Sequence, residues 1–148
     1  MEEFIVLRPD HKDLLLNFEN NKMGESPTLE EQMKTWDAPW RAESLDHYLP
    51  LGWSFAVSNG ESLQGYLLAQ PLLFFRGLTQ TLWVEWMSSN DKGSSQKLVE
   101  VIYRWARDKH FQMIVMEDKS NFSIDFLEAP FSATKQEGLV LLKTSKIK

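Results

Sequence analysis

Residues 86–106 read WMSSNDKGSSQKLVEVIYRWA, and the periodicity changes partway along. Up to Ser88 the chain continues a run from Gln80 that is rich in apolar and aromatic residues, the composition of a strand. From Ser95 onward Leu98, Ile102 and Trp105 recur at helical spacing and Val101 widens the stripe, so a helix is expected to about Lys109. Between them lies Ser89-Asn90-Asp91-Lys92-Gly93-Ser94, a tight turn from strand into helix. Such a junction leaves several backbone N–H groups without intrahelical partners, aimed at one point, and the helix dipole favours an anion there. Gly93 would let the backbone approach closely, Lys92 would add charge, and Ser94 and Ser95 can cap the helix or offer hydroxyls. The same residues also read as an ordinary glycine-containing turn with a serine cap. The local sequence leaves both readings open.

Upstream, Phe4 to Leu7 reads as a strand closed by Arg8-Pro9. Asp10 offers a carboxylate to cap a helix running to about Asn20, with Asp13 near its positive end. Thr28 and Glu31 have capping-box spacing, and Leu29, Met33 and Trp36 form one face of a second helix ending at Ala38-Pro39. The segment Arg41 to Leu49 allows another turn or two of helix. Asn59-Gly60 is expected to supply the two positive-φ residues of a type I′ hairpin turn. Trp53, Phe55 and Val57 would share one face before it, and Leu63, Leu67 and Ala69 one face after it. Arg76-Gly77 marks a second reversal.

Downstream, Phe111 to Met116 suits a buried strand, Ser120 to Glu128 a short helix stopped by Pro130, and Leu139 to Lys143 a final strand. The predicted order is β-α-α-β-β-β-α-β-α-β. An antiparallel meander precedes a β-α-β unit, whose strands must be roughly parallel with a right-handed crossover. The expected fold class is α/β (α+β): a mixed, mostly antiparallel sheet with helices on both faces, forming a single domain over residues 1–148.

Composition removes several functions. Sixteen Lys and Arg against 21 Asp and Glu give a formal charge of −5, the wrong sign for displacing phosphate counterions, so no nucleic-acid partner is expected. Cysteine is absent, which excludes disulfides, thiolate metal sites and a cysteine nucleophile. His11, His47 and His110 are scattered without the spacing of metal ligands, so no metal is expected. Glu2 and Glu3 stand where a secretory signal would be basic, and the apolar stretch Tyr66 to Phe75 falls short of the ~20 residues of a membrane span. A cytoplasmic location without membrane contact is the expectation.

The element order resembles the GNAT superfamily of acyl-CoA-dependent N-acyltransferases. The resemblance runs through the IVLRP opening strand, two helices, the three-strand meander, the 86–106 strand–turn–helix and the closing PFSATKQEGLVLLK pair. It implies acetyl-CoA or another acyl-CoA as co-substrate. In that family a Q/R-x-x-G-x-G/A signature holds the coenzyme A pyrophosphate on its amides, and Asn90, Gly93 and Ser95 occupy the matching positions. The implied cofactor-binding set is Met87 and Ser88 on the strand, then Asn90, Asp91, Lys92, Gly93, Ser94, Ser95 and Gln96. Pro130-Phe131 is similar to the family's Gly-Phe pair, and counting back places Phe126 where the family has the tyrosine that protonates the departing thiolate. Asn121 falls near the family's helix-starting asparagine. Phenylalanine donates no proton, so another group such as Ser123, Tyr103 or water would do so, or the chain does not acylate.

Glu85 is the candidate general base for the attacking amine. Its neighbours Trp83, Val84 and Trp86 are apolar, a setting that suits proton acceptance by a carboxylate; a solvent-facing residue of an alternating strand would look the same. Six tryptophans are present, and Trp36, Trp40 and Trp53 surround the segment that shapes the acceptor pocket in the resembled family, though core packing also explains tryptophans. Two functions follow: an N-acyltransferase acting on a small-molecule or peptide amine, or a catalytically inactive GNAT-like binding or interaction module. Exposed aromatics could form a homodimer face.

Overall fold

The computed structural model describes residues 2–23, 38, 40–60, 62–75, 78–117, 133–136 and 139–143. Seven strands form one sheet: β1 (Glu2–Val6), β2 (Phe55–Asn59), β3 (Ser62–Phe75), β4 (Leu78–Ser89), β5 (Met113–Glu117), β6 (Ala133–Gln136) and β7 (Leu139–Lys143). Their spatial order is β1-β2-β3-β4-β5-β7-β6. Every pairing is antiparallel except β4 with β5. Three α-helices are described: α1 (Lys12–Met23), α2 (Ala42–Tyr48) and α3 (Lys92–Asp108). The expected second helix around Leu29 to Trp36 and the expected short helix Ser120 to Glu128 lie outside the described residues.

Two apolar clusters lie on the two faces of the sheet. On one, the stripe Leu98, Ile102 and Ala106 of α3, each fully buried, packs on Phe55, Val57, Leu67, Leu82 and Ile114. Trp53 and Phe55 meet Trp105 edge-on at 6.1 and 5.4 Å between ring centroids, and Trp53 meets Phe111 at 4.7 Å. On the other face, Leu15 and Phe18 of α1 and Leu45 and Tyr48 of α2 pack on Leu7, Ala56, Leu63, Tyr66 and Leu68. Helices thus cover both faces, as the pattern predicted. A fully buried leucine or isoleucine contributes roughly 1.5–3 kcal/mol by leaving water, so these stripes account for where the helices dock.

Local details depart from the sequence reading. Asp10 caps no helix: the chain enters α1 through a 3-10 turn, Pro9–His11, that begins after Arg8, and the Arg8 N–H donates to Nδ1 of His11 at 3.0 Å. In the first hairpin Asn59 pairs with Ser62, so the reversal falls on residues 60–61, with Gly60 at φ 67°. Asn59 is therefore a strand residue of ordinary negative φ. Leu63 does not share a face with Leu67 and Ala69, because Gln64 is an extra residue between the pairs Ser58↔Leu63 and Val57↔Gly65. This bulge sends Leu63 to the α1 face and Leu67 to the α3 face. The chain also closes with a two-stranded hairpin, β6 preceding β7, where the predicted order had one final strand.

Candidate active site

The sheet is built to open between its parallel strands. β4 and β5 pair only from Thr81↔Met113 to Val84↔Met116. Beyond that, β4 continues beside β3 to Ser89, while β5 continues beside β7 to Glu117. The two strands follow different neighbours and part at Val84 and Met116.

Glu85 is the next residue of β4, and it is the extra residue of a bulge. Leu68 pairs with Trp86 and Ala69 pairs with Val84, leaving Glu85 without a position opposite it. Before the bulge Leu82 and Val84 face α3; after it Met87 does, and Trp86 packs on the α1/α2 face. A bulge re-aims side chains in this way and is common beside active sites. The half-buried Glu85 carboxylate accepts the indole N–H of Trp83 at 2.7 Å. Tyr48, at the end of α2, lies alongside: burial first, and then the Glu85 charge, push its phenol well above the ordinary tyrosine value. It therefore keeps its proton. Next to this cluster Nε2 of His47 and Oε1 of Gln70 are 2.7 Å apart, and Gln70 pairs with Trp83 across the β3–β4 ladder. Trp40 packs on the same face of the sheet.

At the far end of β4 the connection to α3 is only Asn90 and Asp91. The helix begins at Lys92, three residues before the start expected at Ser95, and its N-cap is Asp91 instead of a serine. The Asp91 carboxylate accepts the Ser94 N–H at 2.7 Å, and its main-chain carbonyl accepts the Ser95 N–H at 3.3 Å. The signal was legible, since Asp ranks with the strongest N-cap residues; the apolar period beginning at Leu98 drew the boundary too late. Ser89 and Ser95 bond through their hydroxyls, and Ser89 also donates to the Asp91 carbonyl at 2.7 Å. Asn90 is pinned by its N–H to the Gln64 carbonyl at 2.9 Å. As a cradle for a diphosphate the turn has the shape: a Cβ on Gly93 would meet only the Asp91 carboxylate, at 3.2 Å. The Asp91 charge opposes such a ligand until that exposed side chain turns aside.

The predicted site residues thus fall into groups. Met87, Ser88 and Asn90 to Gln96 form one continuous strand–turn–helix. Glu85 stands with Trp83 and Tyr48 near the β4–β5 parting. Trp53 lies across the sheet from Trp40, wedged between Trp105 and Phe111. Trp36, Asn121 and Phe126 lie outside the described residues. Tyr48 was missed, because nothing local in the sequence links the end of α2 to β4.

No family model matches the sequence, and no curated protein matches it. Solved structures do. A mosquito arylalkylamine N-acetyltransferase-like 5b matches with a TM-score of 0.64, covering 96% of this chain and 98% of that one at 11% identity. A GNAT-family acetyltransferase from Listeria monocytogenes 4b F2365 gives 0.60, covering 95% and 92% at 12% identity. The fold is that of the GNAT N-acetyltransferases. The polyamine N-acetyltransferase of Drosophila melanogaster, which catalyses formation of N-acetylagmatine, shares the GNAT fold at a TM-score of 0.57, covering 81% and 77% at 11% identity. Among the described residues no group of three or more His, Cys, Asp or Glu could hold a metal ion, and no helix is long and apolar enough to cross a membrane.

Proposed function

We propose that this GNAT-fold chain is an acyl-CoA-dependent N-acyltransferase acting on a small primary amine, by direct attack of the amine on the thioester. The observation that carries this reading is the place of Glu85: a half-buried carboxylate set by the β4 bulge immediately past the last β4–β5 pair. When bound, acyl-CoA supplies the activated acyl carbonyl and the thiolate leaving group. Met87 and Ser88 would lie along the thioester arm, and Asn90, Asp91, Lys92, Gly93, Ser94, Ser95 and Gln96 would hold the diphosphate. Turning the Asp91 carboxylate aside gives up one N-cap bond, about 1 kcal/mol, a small cost against diphosphate binding at a helix N-terminus. Glu85 takes the proton of the acceptor ammonium, while the Trp83 indole N–H fixes the carboxylate and the Tyr48 phenol lies against it. Trp83, Trp86, Tyr48 and Trp40 surround that carboxylate with aromatic surface, which favours an apolar or aromatic amine over a highly charged one.

The test is release of free CoA thiol from acetyl-CoA with a panel of arylalkylamines and aliphatic amines. Glu85→Gln should lower kcat/KM about 100-fold or more, the usual weight of a general base. Absence of turnover with every amine would overturn the proposal. A second reading, a GNAT-fold binding module without catalysis, is favoured by one observation: the Asp91 carboxylate already caps the helix end where a diphosphate would lie. That reading predicts acetyl-CoA binding too weak to saturate and no thiol release.

A further inference from the structure

A second cavity, of about 560 Å³, lies between α1, the start of β3 and the β4–α3 turn, away from Glu85. Its walls carry an unusual set of side chains. Asn17 and Asn21 come from α1, Gln64 from β3 and Asn90 from the turn, four carboxamides, with Leu14 and Leu63 as apolar surface. Leu14, Asn17 and Asn21 fall at i, i+3 and i+7, one face of the helix. Docking of α1 on the sheet rests on Leu15 and Phe18, so packing does not require asparagine at 17 or 21, and asparagine is a weak helix former. Gln64 is the bulged residue of the β2–β3 hairpin, so an irregularity in the ladder places one of the four amides. Asn90 is tied to the same strand by its N–H to the Gln64 carbonyl at 2.9 Å, with Nδ2 3.5 Å from the Leu63 carbonyl.

We infer that this cavity is a binding site for a purine base carried by a nucleoside. Each carboxamide presents a donor and an acceptor in one plane, the pairing that matches the edge of adenine, whose ring nitrogen accepts and whose amino group donates. Leu14 and Leu63 offer apolar surface to the faces of a flat ring. No ionised side chain appears among the described lining residues, so the recognised group is neutral. The volume is within the range of small-ligand pockets, about 300–1,000 Å³, and accommodates a nucleoside.

The test follows the side-chain amide resonances of Asn17, Asn21, Gln64 and Asn90 while adenosine is added to isotope-labelled protein. Saturable shifts of these resonances, with a Kd at or below about 1 mM, are the expected result. The double variant Asn17→Ala/Asn21→Ala, changed at two exposed positions, should weaken adenosine binding about tenfold or more without moving the urea midpoint. Its rate of thiol release from acetyl-CoA should match the unchanged protein, so failure at this cavity is distinguishable from failure of the transferase reading. Unmoved resonances at about 10 mM adenosine, equal binding by the variant, or saturation by glucose instead of adenosine would each overturn the inference.

Discussion

Replacing Asp91 by asparagine tests whether the turn before α3 holds a diphosphate. The Asp91 carboxylate takes the Ser94 N–H at 2.7 Å, so a diphosphate at the same helix end would meet a negative charge at close range. Two unit charges 4 Å apart repel by about 1 kcal/mol in bulk water and about 4 kcal/mol at the effective dielectric of a protein surface. Asp91 is exposed, which places the repulsion toward the lower figure for each phosphate charge. Asparagine keeps an oxygen for the Ser94 N–H and ranks with aspartate as an N-cap. It gives up the charge–dipole attraction, about 0.3–1 kcal/mol. Asp91→Asn should therefore tighten acetyl-CoA binding about tenfold, equivalent to ~1.4 kcal/mol, while stability falls by less than about 1 kcal/mol. Calorimetric titration at low and high salt measures the effect, and the gap between the two proteins should narrow as the Debye length shrinks to about 10 Å at 0.1 M. An unchanged or weaker Kd in the variant would refute the assignment of the diphosphate to this turn.

Three other outcomes follow from the same structure. Tyr48 and Tyr66 are both buried, and burial first, then the neighbouring carboxylates Glu85 and Glu19, raise both phenols above the ordinary value of 10.0. The folded chain thus holds these protons more tightly than the unfolded one. The stability this contributes is fully present below pH 10 and is lost as pH rises beyond it, by up to about 1.4 kcal/mol per pH unit per phenol. Urea unfolding at about pH 9 and about pH 11 should show the decline, and Tyr48→Phe or Tyr66→Phe should each flatten it. Gly65→Ala would place a Cβ 2.8 Å from the Ser89 Cβ and 2.9 Å from the Ser88 carbonyl; the backbone must give way, costing about 1–3 kcal/mol in the same assay. His110 sits just past α3 at φ 67°, where glycine is relaxed, so His110→Gly should raise stability by up to about 1 kcal/mol in thermal unfolding.

What could be read from the sequence depended on the period of each signal. Leu98, Ile102 and Ala106 lie four apart and specify a helix face by themselves, so α3 and its docking side were legible. The hairpin at Asn59-Gly60 was legible as a reversal but one residue off, because turn residues mark where a chain bends and the ladder sets the register. Gln64 and Glu85 were opaque as bulges: an extra residue exists only relative to a partner strand, and nothing within either strand marks it. Tyr48 beside Glu85 is a contact made by tertiary packing of α2 on the sheet. Asp91 was the opposite case, a strong local cap signal obscured by a stronger periodic one.

The extra residue at position 85 also ties the length of β4 to its sidedness. Removing any one residue between Val84 and Met87 would restore even alternation and rotate Met87 and all that follows to the other side of the sheet. The turn at Asn90 and the start of α3 would then emerge facing the wrong helix layer. Single-residue deletions in this strand should therefore be absent from any functional variant library, whereas substitutions at Glu85 itself remain compatible with folding.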